Sequence, residues 1–254
     1  MSEEIDVIVD IRDVTKRFGG VEALRGVSMT LERGTVTAIV GDNGAGKSTL
    51  IKCLSGLHQP TSGRIILDGE EVKISSPSES RNLGIETVYQ DLAVVDTLTA
   101  AENLYLSREL RVGVWPLQVL RRKKMREGAK EMMKRIGNTT LRVTQEVGGM
   151  SGGQRQAVAI CRAVAWGAKI VIFDEPTAAL GVNESAEVHQ LIRGLRDQGV
   201  TVVIISHNFE EVMDLADTVW VMRQGRAVAS RKTSETTGTE LVSLLTGAIS
   251  VSHD

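Results

Sequence analysis

The segment Gly41-Asp42-Asn43-Gly44-Ala45-Gly46-Lys47-Ser48 constrains the fold more than any other stretch of the chain. Residues 35–40, just before it, are apolar and β-branched. Residues 48–56, just after it, carry a helical pattern. A strand that ends in a G-x-x-x-x-G-K-[ST] loop and re-enters as a helix is the local frame of a phosphate-binding loop. The glycines let the backbone curl so that its amides converge, and the helix adds the positive end of its dipole. Lys47 then bridges the β- and γ-phosphates of a nucleotide, and the Ser48 hydroxyl holds Mg²⁺. Gly41, Asn43, Gly44, Ala45, Gly46, Lys47, Ser48 and Thr49 are the candidate phosphate contacts. A plain glycine turn before a helix is the alternative, and the complete strand, loop, Lys-Ser and helix order argues against it.

Two further apolar runs, at 169–173 and 200–205, read as buried strands, each followed by a polar or glycine-rich turn and a helical segment. In residues 183–198, Val188, Leu191, Ile192 and Leu195 share one helical face. That order predicts a parallel sheet covered by helices. Runs at 8–14, 27–31 and 64–67 predict a small antiparallel sheet beside it. Thr99 with Glu102, and Thr237 with Glu240, fit capping boxes. Residues 98–147 read as mostly helical and rich in charge, including Arg121-Arg122-Lys123-Lys124. With 30 Lys and Arg against 32 Asp and Glu, the net charge is −2, so this basic run reads as a solvated helix face rather than a nucleic-acid surface. No apolar run reaches the ~18 residues of a membrane helix. The acidic N-terminus does not read as a secretory signal. Cys53 and Cys161 have neither metal-ligand spacing nor a disulfide framework, which suits a reducing compartment. Residues 250–254 are expected to fray.

Other short motifs carry chemistry. In Ile170-Val171-Ile172-Phe173-Asp174-Glu175, apolar residues run into two carboxylates. At the end of a buried strand, Asp174 holds Mg²⁺ through water and Glu175 polarises the attacking water. Solvated strand caps are the plain alternative. Ser151-Gly152-Gly153-Gln154 precedes a helix rich in Ala and Val, running to about Trp166, and forms a second nest of amides. One nucleotide pocket does not need two nests, so this one serves the nucleotide of another subunit, unless it is only a glycine-bearing helix cap. His207, after the run at 200–205, lies where ligands gather in a parallel sheet and is placed to contact the γ-phosphate. A surface or satisfied core histidine is its ordinary alternative. Gln90 is a candidate Mg²⁺ or water ligand, and Phe18 a candidate for stacking on adenine.

Taken in this order, the phosphate loop, Gln90, Ser151–Gln154, Asp174-Glu175 and His207 resemble the ATP-binding subunit of ATP-binding cassette (ABC) transporters over nearly the whole chain. The resemblance implies an α/β P-loop NTPase fold. A RecA-like core with an antiparallel β part is expected over about residues 1–97 and 151–254, and a helical subdomain over about 98–150. It implies a head-to-tail homodimer holding two ATP and Mg²⁺ between the phosphate loop of one copy and the Ser151 signature of the other. Finer features are similar to carbohydrate importers of the ribose, xylose, galactose or fructose type, in particular the single-cassette form. These are Lys16 to Leu24, Gly41 to Gly46, Gly84 to Gln90 and Asp174 to Val182. The resemblance places the chain on the cytoplasmic face of the membrane, with permease subunits and, through them, a sugar-binding protein as partners. A regulatory C-terminal domain of the maltose type is not expected. Two positions depart from the family pattern. Met150 replaces the Leu that opens the signature, and Gly181 stands where many cassettes carry an Asp that helps couple the two sites. Two other functions compete: a soluble ABC ATPase acting on DNA or ribosomes, and a nucleotide-binding subunit with little turnover. Absence of tandem cassettes or long insertions argues against the first, and intact Lys47, Glu175 and His207 against the second.

Overall fold

In the computed structural model, which describes residues 6–114, 117–139 and 141–248, β1 (Val7–Phe18) and β2 (Val21–Glu32) pair as a long antiparallel hairpin. Both strands outrun the apolar segments at 8–14 and 27–31. Exposed Arg12 and Asp13 and several register shifts break the alternation while the pairing continues. β3 (Val36–Gly41) leads into the phosphate loop and α1 (Lys47–Leu54). β4 (Ser62–Leu67) and β5 (Glu70–Val72) complete a four-stranded antiparallel sheet in the order β2-β1-β4-β5. α2 (Pro77–Asn82) and β6 (Ile85–Val88) follow.

The middle of the chain holds α3 (Ala100–Leu104), β7 (Arg111–Val112), β8 (Val119–Leu120) and α4 (Arg122–Arg135). It is therefore less helical than its charge-rich pattern predicts, because β7 and β8 pair antiparallel where a helix was expected. Gly113 bends there with φ +105°, a left-handed conformation that favours glycine. The Thr99–Glu102 capping box forms in full. Arg121 to Lys124 are exposed, while Met125, Ala129 and Met133 form the buried stripe of α4, so the basic run is a solvated face.

The chain continues through α5 (Gly152–Val164), β9 (Ile170–Asp174), α6 (Val182–Asp197), β10 (Thr201–Ile205), α7 (Phe209–Leu215), β11 (Thr218–Arg223), β12 (Arg226–Lys232) and α8 (Gly238–Thr246). Thr237 caps α8 by accepting from the Glu240 amide. The reciprocal half of the predicted box is replaced, because Glu240 accepts from Arg231 and Thr236 at 2.9 Å each. The expected fraying at 250–254 lies outside the described residues. Among the described residues, no helix is long and apolar enough to cross a membrane. Both cysteines are buried, and burial pushes the Cys161 thiol up to about 12, so it is inert at neutral pH.

The second sheet has six strands in the order β12-β11-β3-β10-β9-β6, all parallel except β12. Its central strands alternate between two cores. Val36, Ala38, Val40, Val171, Phe173, Val202 and Ile204 pack with α5 and α6. Ile39, Ile170, Ile172, Val203 and Ile205 pack with α1 and the antiparallel sheet. Both faces are covered, which is why these strands read as unbroken apolar runs. β10 is the hub, with Ile205 registered against Ile39 of β3 and Asp174 of β9. The carboxyl ends of three strands thus meet at one edge, the usual ligand crevice of such sheets. Phe173, fully buried one residue before Asp174, gives a direct test of this packing. Phe173→Ala is expected to cost about 3–5 kcal/mol of stability in urea unfolding, against at most about 0.5 kcal/mol for Val182→Ala at an exposed position.

Candidate active site

The phosphate loop is shaped by close approaches. A Cβ on Gly41 would stand 2.5 Å from the Met222 carbonyl oxygen and 3.0 Å from the Ala45 methyl. Gly46 adopts φ +102°, and its Cβ would stand 2.8 Å from the Ala23 carbonyl oxygen. These two positions require glycine for different reasons, one steric and one also conformational. No side chain caps α1 at Gly46, so the first-turn amides are left for an anion. Lys47 Nζ donates to the carbonyls of Gly41 at 2.5 Å and Asp42 at 3.1 Å, which wraps the loop around the ammonium. Burial lowers its pKa, opposed by the charges of Glu175, Asp42 and Asp174.

A cavity of about 680 Å³ opens over this loop. Residues 42–49 line it with Asp174, Glu175 and Ile205. Asp174 ends β9, and burial, then the neighbouring Glu175, raises its pKa, while Lys47 pulls it down. Glu175 holds φ +52°, uncommon for a residue with a side chain, and its amide donates to the Ile205 carbonyl at 2.9 Å. That backbone bond ties the Asp174-Glu175 turn to the end of β10. His207 Nδ1 lies 3.1 Å from Oε1 of Glu175. An ionised carboxylate only accepts, so Nδ1–H donates, and in the neutral ring Nε2 is left as an acceptor. The hydroxyl of Ser48 and the carboxylate of Asp174 are hard oxygen donors. No group of three or more His, Cys, Asp or Glu able to hold a metal occurs among the described residues. Such a donor set fits Mg²⁺, which is bound through one or two carboxylates and substrate phosphates rather than by an all-protein cage.

Three candidates fall elsewhere. The Phe18 ring, at the end of β1, packs edge-on against His58 with centroids 5.0 Å apart, under Lys16 Nζ at 5.1 Å. It does not line the cavity; Val21 and Ala23 of β2 do. Gln90 follows β6 on a loop outside the cavity lining, beside Tyr89, whose hydroxyl donates to Ser55 Oγ at 2.9 Å. Ser151 to Gln154 open α5, away from the phosphate loop of the same chain, as a complete capping box. An ideal Cβ on Gly152 would lie 3.6 Å and 3.7 Å from the Glu184 carboxylate oxygens. The Gly181 amide donates to that carboxylate at 3.3 Å, which holds it below the usual range.

No motif marks Arg25, Gln224 and Gly225, which complete the cavity wall. The Arg25 amide donates to the Gly225 carbonyl at 2.8 Å, and the Gly225 amide to the Ala45 carbonyl at 3.0 Å. These bonds brace the phosphate loop from β2 and the β11–β12 turn, segments with no motif of their own.

Comparison with known proteins agrees with this geometry. The family model for "ABC transporter" matches residues 24–178. The xylose/arabinose import ATP-binding protein of Sulfolobus acidocaldarius is 43% identical over 94% of this chain and 94% of its own length. The fructose import ATP-binding protein of Rhizobium meliloti is 43% identical over 95% of this chain and 94% of its own. A dimeric post-hydrolysis ATP-binding cassette bound to ADP and phosphate superposes with a TM-score of 0.71 at 27% identity, covering 89% of this chain and 99% of its own. This chain belongs to the ABC transporter family, as one of its ATP-binding, ATP-hydrolysing cassettes.

The loop geometry sets a quantitative expectation for Lys47. Lys47→Ala removes the one ammonium that the phosphate loop wraps, so calorimetry is expected to find MgATP bound about 10–100-fold more weakly. Gly46→Ala is expected to weaken binding as well, with Lys47 intact, because the loop cannot keep its path.

Proposed function

We propose that this chain is the ATP-hydrolysing subunit of a membrane importer for a monosaccharide, acting as a head-to-tail homodimer at the cytoplasmic face of the membrane. The observation that carries the reading is Glu175, hydrogen-bonded to His207 and placed on the wall of the cavity that Lys47 also lines. Similarity to import ATP-binding proteins for xylose, arabinose and fructose supports the substrate class. Permease subunits and, through them, a sugar-binding protein are the partners; choice of the sugar belongs to those chains. Nucleic acid is not a partner in this reading, in keeping with the net charge of −2.

Lys47 exchanges its loop carbonyls for the β- and γ-phosphates. Ser48 and Asp174 are the residues that hold Mg²⁺, with Gln90 a further candidate on the adjoining loop. The bound ion neutralises phosphate charge. Glu175 takes the proton of the attacking water, and His207 fixes the orientation of that carboxylate. Ser151 to Gln154 of the second copy close over the γ-phosphate. The dimeric cassette bound to ADP and phosphate supports this pairing.

A groove of about 530 Å³ lies beside the Gln90 loop, walled by Arg81, Glu86, Tyr89, Arg108 and Trp166. Arg108 stacks over the Trp166 ring at 4.8 Å. Burial raises the pKa of Glu86 against the pull of Arg81, Arg108 and Arg162. A concave surface with buried charge suits a permease segment, and its contact with the Gln90 loop gives a route from ATP to the membrane.

Glu175→Gln is expected to keep MgATP affinity and slow single-turnover hydrolysis by about two to four orders of magnitude, the share of a positioned base. In that background, cysteines at positions 43 and 152 are expected to crosslink between copies when MgATP is added. Hydrolysis at the wild-type rate would place the base elsewhere, and no crosslink despite ATP binding would overturn the pairing. Arg108→Glu tests the groove: pull-down with the permease is expected to fail while the purified chain still binds MgATP.

A further inference from the structure

Beneath Glu175 and His207 lies a carboxylate with no part in the chemistry described so far. Glu211, on α7, is 4% exposed. Its Oε1 accepts from Thr177 Oγ1 at 2.7 Å and from His189 Nε2 at 3.1 Å, and its Oε2 accepts from Ser206 Oγ at 2.5 Å. Burial pushes this carboxyl up, but the hydrogen bonds from His189, Ser206 and Thr177 outweigh it, and the group lies below the ordinary glutamate value. It is therefore an anion held inside the fold by three donors, an arrangement that persists only when every partner is supplied.

The positions of those donors matter. Thr177 comes two residues after Glu175. Ser206 comes directly before His207, and its Oγ also accepts from the amide of Asn208, directly after His207. Asn208 in turn caps α7, accepting from the amides of Glu210 at 3.0 Å and Glu211 at 3.3 Å. One carboxylate thus ties the turn carrying Glu175 to the loop carrying His207, with α7 as the rigid base. Above this tie, the two side chains meet only through the 3.1 Å bond from His207 Nδ1 to Glu175, and the His207 side chain is 70% exposed. An exposed ring has little packing of its own to fix it.

We infer that Glu211 is a positioning residue for ATP hydrolysis: by joining Thr177 to Ser206 it sets the spacing between Glu175 and His207. His189 extends the tie to α6, which starts at Gly181 beside the Ser151 signature. Misplacement of a catalytic pair by about 1 Å is enough to cost ~10²-fold in rate. A glutamate buried for stability alone would shift unfolding and leave turnover in the folded protein untouched.

The inference rests on the reading of Glu175 and His207 as the hydrolytic pair, so the experiment includes His207→Ala. Single-turnover ATP hydrolysis and MgATP affinity are measured on the purified chain for Glu211→Gln, Thr177→Val, His207→Ala and Glu211→Gln with His207→Ala. Glu211→Gln is expected to slow hydrolysis about 10–100-fold with MgATP affinity within about twofold, since Lys47 and Ser48 are untouched. Thr177→Val, which deletes one tie and leaves the carboxylate and two donors, is expected to slow it about 3–10-fold. In the His207→Ala background, Glu211→Gln is expected to add less than about twofold, because the two act through one spacing. Wild-type turnover in folded Glu211→Gln overturns the proposal, as does a full multiplicative loss in the double variant. Should Glu211→Gln fail to fold, Thr177→Val decides, and wild-type turnover there overturns it. Unchanged hydrolysis in His207→Ala alone would instead remove the hydrolytic reading of His207 on which the inference stands.

Discussion

Parallel pairing of β10 with β3 on one side and β9 on the other is the constraint on which the site depends. Ile205 stands in register with both Ile39 and Asp174. Three loops that are far apart in the chain therefore leave the sheet on one edge, the phosphate loop two residues further along β3. A one-residue slip in either pairing would turn each apolar strand over. Phe173 would then point into the core that now holds Ile172, and the carboxylates would lose their place over the phosphate loop. Burial of both faces of the sheet enforces the register.

The electrostatics of the site follow from that convergence. Lys47, Asp174 and Glu175 share a partly buried space, so burial and mutual charge act on them together. Burial weakens the charged form of Lys47 and of Asp174, and their attraction opposes it. Lys47 offsets part of its desolvation by donating to loop carbonyls. Donation to these carbonyls already holds the loop curled around the ammonium. The loop is in this sense preorganised, and the backbone bonds from Arg25 and Gly225 keep it so.

The Ser151 signature is built into the start of α5 as a capping box, with Glu184 of the same chain packed beside Gly152 and Gly153. That carboxylate closes the first turn of α6 by accepting from the Gly181 amide at 3.3 Å. Gly181 has no side chain to take over the contact. The start of α6 and the signature are thereby mechanically linked within one copy, whatever the second copy contributes.

Motifs made of adjacent residues were legible without a structure. Gly41 to Ser48 and Asp174-Glu175 stand out by their spacing, and the buried strands declare themselves by unbroken apolar runs. Legibility stopped where neighbours in space are distant in sequence. The Phe18 ring turned to His58, and the cavity wall passed to Val21 and Ala23, because strand pairing and the hairpin bend decide which residues of β1 and β2 reach the loop. Pairing of β7 with β8 inside a charge-rich, helix-like stretch was equally hidden, since two-residue strands have no periodicity to read. Glu211 looked like any acid in the first turn of a helix. Only its burial among Thr177, Ser206 and His189, donors drawn from three separate segments, turns it into a tie between the turn carrying Glu175 and the loop carrying His207. Local chemistry was thus determined by the sequence itself, because a phosphate loop or a strand-end carboxylate pair is built from consecutive backbone. Which distant groups brace that chemistry was decided by tertiary structure, because long-range hydrogen bonds are chosen by packing and register rather than by any local propensity.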